Sequence, residues 1–211
     1  ENRHRVTLTK GMYVGKYEIT QEQWKRIMGS APEGLYFKNA GLTAAVEGVS
    51  WDDCQQFLKM LCQLEDLAVQ LDSSGGVVGP YRLLTEAEWE YACRAGTETA
   101  LYNGELKIKA KCNGSGLNDI SWYSGNCEAT YEGGVDSSSW GLKEIGHSLA
   151  GVQLVGNKQA NAFGLYDMIG NVSEWCSDYY GEYPSAGVRD PIGQKEGSMR
   201  VLRGASWVDP A

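Results

Sequence analysis

The sequence predicts an α+β fold of short helices and short strands set in much irregular loop, and three observations predict it. Thr20 with Gln23, Ser50 with Asp53, and Thr85 with Glu88 each stand at the head of a brief apolar run at helical spacing, the arrangement that satisfies the free N–H groups of a helix start. β-Branched and aromatic residues partly alternate with polar ones near the two ends of the chain. Residues 97 to 159 are rich in Gly, Ser, Asn and Trp and keep no period, which reads as loop that metals, disulfides or aromatic packing must organise.

Taken in order, residues 4 to 19 read as one or two strands broken at Gly11 or Gly15. A helix of about two turns follows, with Trp24, Ile27 and Met28 on one stripe and Gly29 as its stop. Residues 30 to 48 read as loop. The second helix carries Phe57, Leu58, Leu61 and Leu64 on its apolar face and is expected to run to about Leu67. Ser73 to Gly76 read as a turn or a flexible excursion, and the third helix ends near Arg94 with Gly96 behind it. Residues 200 to 207, RVLRGASW, read as a strand.

The chain has 211 residues, enough for a buried core and expected to form one domain over 1 to 211. Its net charge of −8 argues against nucleic acid and anionic membrane surfaces, which need a basic face. The one local basic cluster, Lys107, Lys109 and Lys111, reads as a solvated face. No apolar run of transmembrane length occurs, and the Glu1 to His4 start has no secretory or lipid-attachment pattern. The six cysteines, Cys54, Cys62, Cys93, Cys112, Cys127 and Cys176, contain no CxxC pair, which disfavours zinc. Cys54 and Cys62 share one helix at about 12 Å, too far to bridge, so they are buried thiols or partners of other segments.

Several separated segments match one family in order: YEITQEQWKRIMG (17 to 29), VSWDDCQQFL (49 to 58), YRLLTEAEWEYACRAGT (81 to 97), NAFGLYDMIGNVSEWCSD (161 to 178) and RVLRGASW (200 to 207). Together they resemble the formylglycine-generating enzyme, or sulfatase-modifying factor, family over nearly the whole chain, with unusual material near 70 to 79 and 127 to 156. The resemblance implies a C-type-lectin-like fold with short helices, small antiparallel sheets and long loops, and a closing segment beyond Ala211. Read as residues alone, Trp89 and Tyr91 on the third helix and Trp175 beside Cys176 are core groups that lock loops together.

One motif carries metal chemistry. In LYDMIGNVSEW, Asp167 and Glu174 offer carboxylate oxygens and the Gly170 and Val172 carbonyls belong to a tight turn, a hard oxygen set suited to calcium. The competing use is structural, with Asp167 capping the turn and Glu174 making a buried hydrogen bond. The resemblance implies a structural calcium at Asp167, Gly170, Val172 and Glu174; the family's other calcium site is not matched.

The family's oxidase chemistry is implied to rest on two cysteines following a G-G-S-[WY] segment, which bind copper and activate oxygen. Here the run is Gly204-Ala205-Ser206-Trp207-Val208-Asp209, with Asp209 in the first cysteine's place, and no copper site is visible. A carboxylate does not replace a thiolate for Cu(I). The three-histidine chemistry of the iron-dependent branch is equally unsupported, since only His4 and His147 exist. The family also resembles variable proteins of diversity-generating retroelements, such as the Treponema variable protein, whose segment after R-G-G-S-W displays ligand-contacting residues. Trp207, Val208 and Asp209 are therefore the expected start of a binding site, against the plainer reading of a terminal strand and frayed tail. The expectation is a non-catalytic, receptor-like protein at the cell surface or outside the cell, as a lipoprotein whose anchor lies elsewhere or as a free protein. Its ligand would be a protein or glycan on another cell. The competing expectation is an oxidase with its cysteines beyond residue 211.

Overall fold

The computed structural model describes residues 4 to 141 and 143 to 211; residues 1 to 3 of the N-terminal run, and residue 142 within the unusual segment, lie outside the described residues. In chain order the elements are β1 (Val6–Thr7), α1 (Gln21–Met28), α2 (Trp51–Leu64), β2 (Gln70–Leu71), β3 (Val77–Val78), α3 (Glu86–Arg94) and β4 (Lys107–Ala110). They continue with β5 (Asn113–Ser115), α4 (Leu117–Ile120), β6 (Val135–Asp136), β7 (Leu149–Ala150), β8 (Glu174–Tyr179), β9 (Val188–Arg189) and β10 (Arg200–Arg203). The strands pair in twos: β2 with β3, β4 with β5 and β6 with β7 are antiparallel, β1 with β9 is parallel, and β8 pairs with β10.

The backbone clusters into two compact units, each assembled from separated stretches of chain. The first takes residues 1–14, 50–92 and 175–203. Its long helix α2 starts on a complete capping box, Ser50 accepting from the Asp53 N–H while Asp53 accepts from that of Ser50. The buried face is Trp51, Gln55, Phe57, Leu58 and Cys62, and Leu64 is exposed. The helix stops at Leu64, three residues short of the expected end, because Asp66 turns into the left-handed region at φ 52°. Gln55 is buried yet satisfied, accepting the Val77 N–H at the β2–β3 hairpin. That hairpin encloses the expected turn, where the Asp72 carboxylate accepts from Ser74 N–H and O–H and from Gly76 N–H.

A guanidinium organises the rest of this unit. Arg200 on β10 lies between the faces of Trp51 and Tyr179, at 3.7 and 3.6 Å from their centroids, and donates to the Ser177 carbonyl and the Ser74 hydroxyl. Arg203, two residues on, pairs with Glu86 and Glu90 of α3. Trp89 is buried as expected, whereas Tyr91, expected in the core, is half exposed because it sits on the outer side of α3. The expected strands over residues 4 to 19 shrink to β1. Two residues pair with β9, their side chains are exposed, and nothing further along pairs as a ladder.

The second unit takes residues 15–49, 93–174 and 204–211. α1 is the helix the sequence predicts, with Thr20 and Gln23 capping one another and Gly29 closing it in the left-handed region. Among the described residues of the unit, one buried cluster is Phe37, Ala44, Ala45 and Val152, against which Tyr131, Val172 and Trp207 pack, and another is Leu101, Leu117, Ile120 and Tyr123. The stretch expected to lack elements holds β4 to β7 and α4, each of four residues or fewer, too short for a periodic signal. Lys107, Lys109 and Lys111 are exposed there. All six cysteines are free thiols. The expected strand over 200 to 207 ends at Arg203, because Gly204 and Ala205 both take positive φ, 93° and 60°, and turn the chain.

Candidate functional site

The motif at 167 to 174 folds as a string of left-handed residues, Asp167 at φ 56°, Gly170 at 86° and Asn171 at 60°. Gly170 is required in its place: a Cβ there would lie 2.3 Å from both the Ser121 hydroxyl and the Trp122 carbonyl. Asn171 is the hub. Its N–H donates to the Trp122 carbonyl, its side-chain carbonyl accepts the Gln153 N–H, and its amide nitrogen donates 2.6 Å to the Glu18 carboxylate. The other Glu18 oxygen accepts the Val172 N–H at 3.0 Å. Burial, followed by the neighbouring Glu174 and Asp167 charges, holds the Glu18 carboxyl well above the usual carboxylate range. Glu18 escaped sequence reasoning, since it sits in a segment taken for a strand.

Asp167 is almost wholly buried. One of its oxygens accepts the Gly156 N–H at 2.6 Å, while Oδ1 has no hydrogen-bond partner. Burial raises its carboxyl, against the pull of the Gly156 N–H and the Lys158 charge. Among the described residues no three His, Cys, Asp or Glu side chains form a metal site by themselves.

The second place singled out by the sequence is tied to the first. The Trp207 N–H donates to the Asn171 carbonyl at 2.8 Å, and its own carbonyl accepts from the Cys127 thiol at 3.0 Å. Trp207 is half-buried, with Phe37 edge-on at 5.1 Å and Trp140 stacked at 6.1 Å and 19°. Val208 is exposed. Asp209 turns back: its carboxylate accepts from Ser206 N–H and O–H at 2.8 and 2.7 Å, and its carbonyl accepts the Ser124 N–H. The tail is thus a closed turn, with Trp207 and Asp209 held and Val208 presented.

Around this turn lie groups the sequence did not mark. His147 is buried, its Nδ1 2.9 Å from the Ser137 hydroxyl and its ring edge-on to Trp140 at 6.2 Å. Lys143 donates to the His147 carbonyl and to the Ser137 hydroxyl. Burial, then the Lys143 charge, hold the imidazole below its usual pKa. Cys127, the thiol beside Trp207, is pushed up to about 12, chiefly by burial, and is a neutral hydrogen-bond donor rather than a thiolate. Nothing in the residue spacing announces this cluster, because Trp140 and His147 belong to the stretch without a period.

Fold and site together define a C-type-lectin-like α+β scaffold of the sulfatase-modifying type. The model of the sulfatase-modifying factor enzyme 1-like domain matches residues 1–211, and the chain belongs to that family. A chaperone protein LppX of Paenibacillus barcinonensis is 30% identical over 96% of this chain and 71% of its own length. The formylglycine-generating enzyme of Bos taurus is 33% identical over 60% of this chain, which spans only 30% of that enzyme's length. Among solved structures, the Treponema denticola variable protein 1 superposes with a TM-score of 0.64 at 26% identity, over 91% of this chain and 73% of that one.

Proposed function

We propose that this chain is a non-catalytic binding module that presents a ligand site at Trp207, Val208 and Asp209 on a rigid scaffold. The observation that carries the reading is the state of Asp209. It occupies the place where the family's oxidases carry their first copper thiolate, and its carboxylate instead closes a turn on Ser206. The neighbouring thiol, Cys127, is pushed up to about 12 by burial and donates to the Trp207 carbonyl as a neutral group. A likeness to a protein named a chaperone and to one named a variable protein agrees with binding rather than oxidation.

The same reading includes a structural calcium at Asp167, Glu174 and the Gly170 and Val172 carbonyls. In its favour, Asp167 Oδ1 is a buried oxygen lacking a donor, and the Asp167 and Glu174 charges both bear on the buried Glu18 carboxyl. A divalent cation relieves both costs with oxygen ligands alone. Bound there, it would brace the turn whose Asn171 carbonyl holds Trp207. The protein or glycan bound, and a place at the cell surface, belong to this proposal; among the described residues no helix is long and apolar enough to cross a membrane.

Capture experiments with the longest natural chain test it. A partner retained by the natural protein and lost on Val208→Arg supports the module. Conversion of a cysteine peptide to its aldehyde with copper and oxygen overturns it in favour of the oxidase.

A further inference from the structure

In the second unit, residues 42 to 46 run between two other stretches of chain. On one side the Glu22 N–H donates to the Leu42 carbonyl and the Val46 N–H to that of Ile19, with Thr20 bridged to Ala45. On the other the Val155 N–H donates to the Thr43 carbonyl, with Leu154 bridged to Ala44. The Leu154 side chain lies against Gly41, and the Tyr17 ring lies against Gly156, where a Cβ would come within 2.6 Å of it. Glu18, Ala44 and Ala45 are buried inward, but the large apolar side chains of these stretches are not. Leu42 is 63% exposed, Tyr17 41%, Leu154 40% and Ile19 39%. Single exposed apolar groups are ordinary, whereas four on adjoining stretches form a patch of the kind that marks an interaction surface.

We infer that Tyr17, Ile19, Leu42 and Leu154 are the core of an isologous interface with a second copy of this chain, in which Lys16 meets the partner subunit's Glu22. Charge complementarity selects this occupant. Lys16 and Glu22 are both exposed, and neither forms an ion pair among the described residues. Lys16 stands beside Tyr17, its ammonium over the Tyr17 and Tyr166 rings at 5.2 and 5.3 Å from their centroids. Glu22 stands beside Leu42, through its own N–H, and Lys25 and Arg26 follow one turn farther along α1. Ile19 is three residues from each of the two charges. A two-fold axis beside Ile19 therefore sets Lys16 against the partner subunit's Glu22 twice over and lays the apolar groups on their own copies. A partner carrying one sign of charge is attracted at one end of the patch and repelled at the other. The inference goes beyond the binding-module reading and does not depend on it, although a dimer carries two Trp207 turns.

The test is analytical ultracentrifugation of the protein from about 1 to 300 µM, since a patch of this size belongs with the smaller specific interfaces and a Kd on the order of 10 µM is expected. A monomer–dimer equilibrium should appear. Leu42→Glu should weaken it at least about tenfold, and Lys16→Glu about tenfold, because carboxylates then face one another. Lys16→Glu combined with Glu22→Lys should return the dimer to within about threefold of the natural chain, a rescue that a folding defect or a purely apolar contact does not give. The exchanged residues are all exposed, and circular dichroism of each variant confirms that it is folded. A monomer over the whole range, an open assembly larger than a dimer, a dimer indifferent to Leu42→Glu, or a double exchange that does not rescue overturns the interface. A monomer that still captures a ligand through Val208 overturns the dimer and leaves the binding module standing.

Discussion

The backbone N–H of Trp207 donates to the carbonyl of Asn171 at 2.8 Å, which couples the candidate binding turn to the candidate calcium loop. Asn171 is fixed in turn by Glu18, Gln153 and Trp122. Whatever moves the loop therefore reaches the indole.

Calcium addition should raise the melting temperature and change tryptophan fluorescence together. At a hundredfold excess over Kd a single site adds about 2.7 kcal/mol, or roughly 5–10 °C for a chain of this size. Asp167→Ala should abolish both responses. Differential scanning calorimetry with and without chelator checks this, and identical curves for the untreated and chelated protein would remove the calcium site.

Glu18→Ala leaves one N–H of the buried Asn171 amide and the Val172 N–H without an acceptor, while the amide keeps its bond to the Gln153 carbonyl. The expected loss is about 2–4 kcal/mol by urea unfolding, since two buried donors go unmet. Restoring one acceptor with Glu18→Gln should recover part of it.

Gly170→Ala should destabilise by about 3 kcal/mol or more, because its Cβ meets the Trp122 carbonyl and its φ is 86°. Gly29→Ala, also at positive φ but with open space around it, should cost about 1 kcal/mol. Comparing the two unfolding midpoints separates steric clash from backbone strain.

Arg200→Lys should cost about 1–3 kcal/mol although charge is kept. The planar guanidinium fills the gap between Trp51 and Tyr179 and donates to two oxygens at once, which an ammonium does not reproduce. Thermal unfolding of the variant measures it.

His147 gives the pH dependence its sign. Its folded-state pKa lies below the ordinary 6.5, so the unfolded chain binds the proton more tightly. The His147 contribution to stability is complete above about 6.5, the usual imidazole value, and is lost as pH falls through the lower folded-state value. His147→Asn should flatten that part of the stability curve, measured by urea unfolding between neutral and mildly acidic pH.

Three helix starts were legible because a capping box is a local device: Thr20 with Gln23 needs only three residues and a change of backbone angle. The RVLRGASW strand was legible only to Arg203, since the positive φ at Ala205 is imposed by surroundings and not by its residue type. Leu64 shows a further limit, for helical spacing names a stripe but not which of its ends meets a neighbour.

The sequence by itself determined the family, the helix starts, and the residues of the 167–174 and tail motifs, because these depend on residue type at short spacing. Tertiary structure alone decided that Glu18 pins the Asn171 turn, that the Asp209 carbonyl takes the Ser124 N–H, and that Trp140 stacks on Trp207. Such contacts join residues far apart along the chain in segments without period, where burial and unmet hydrogen bonds, not local propensity, select the partner.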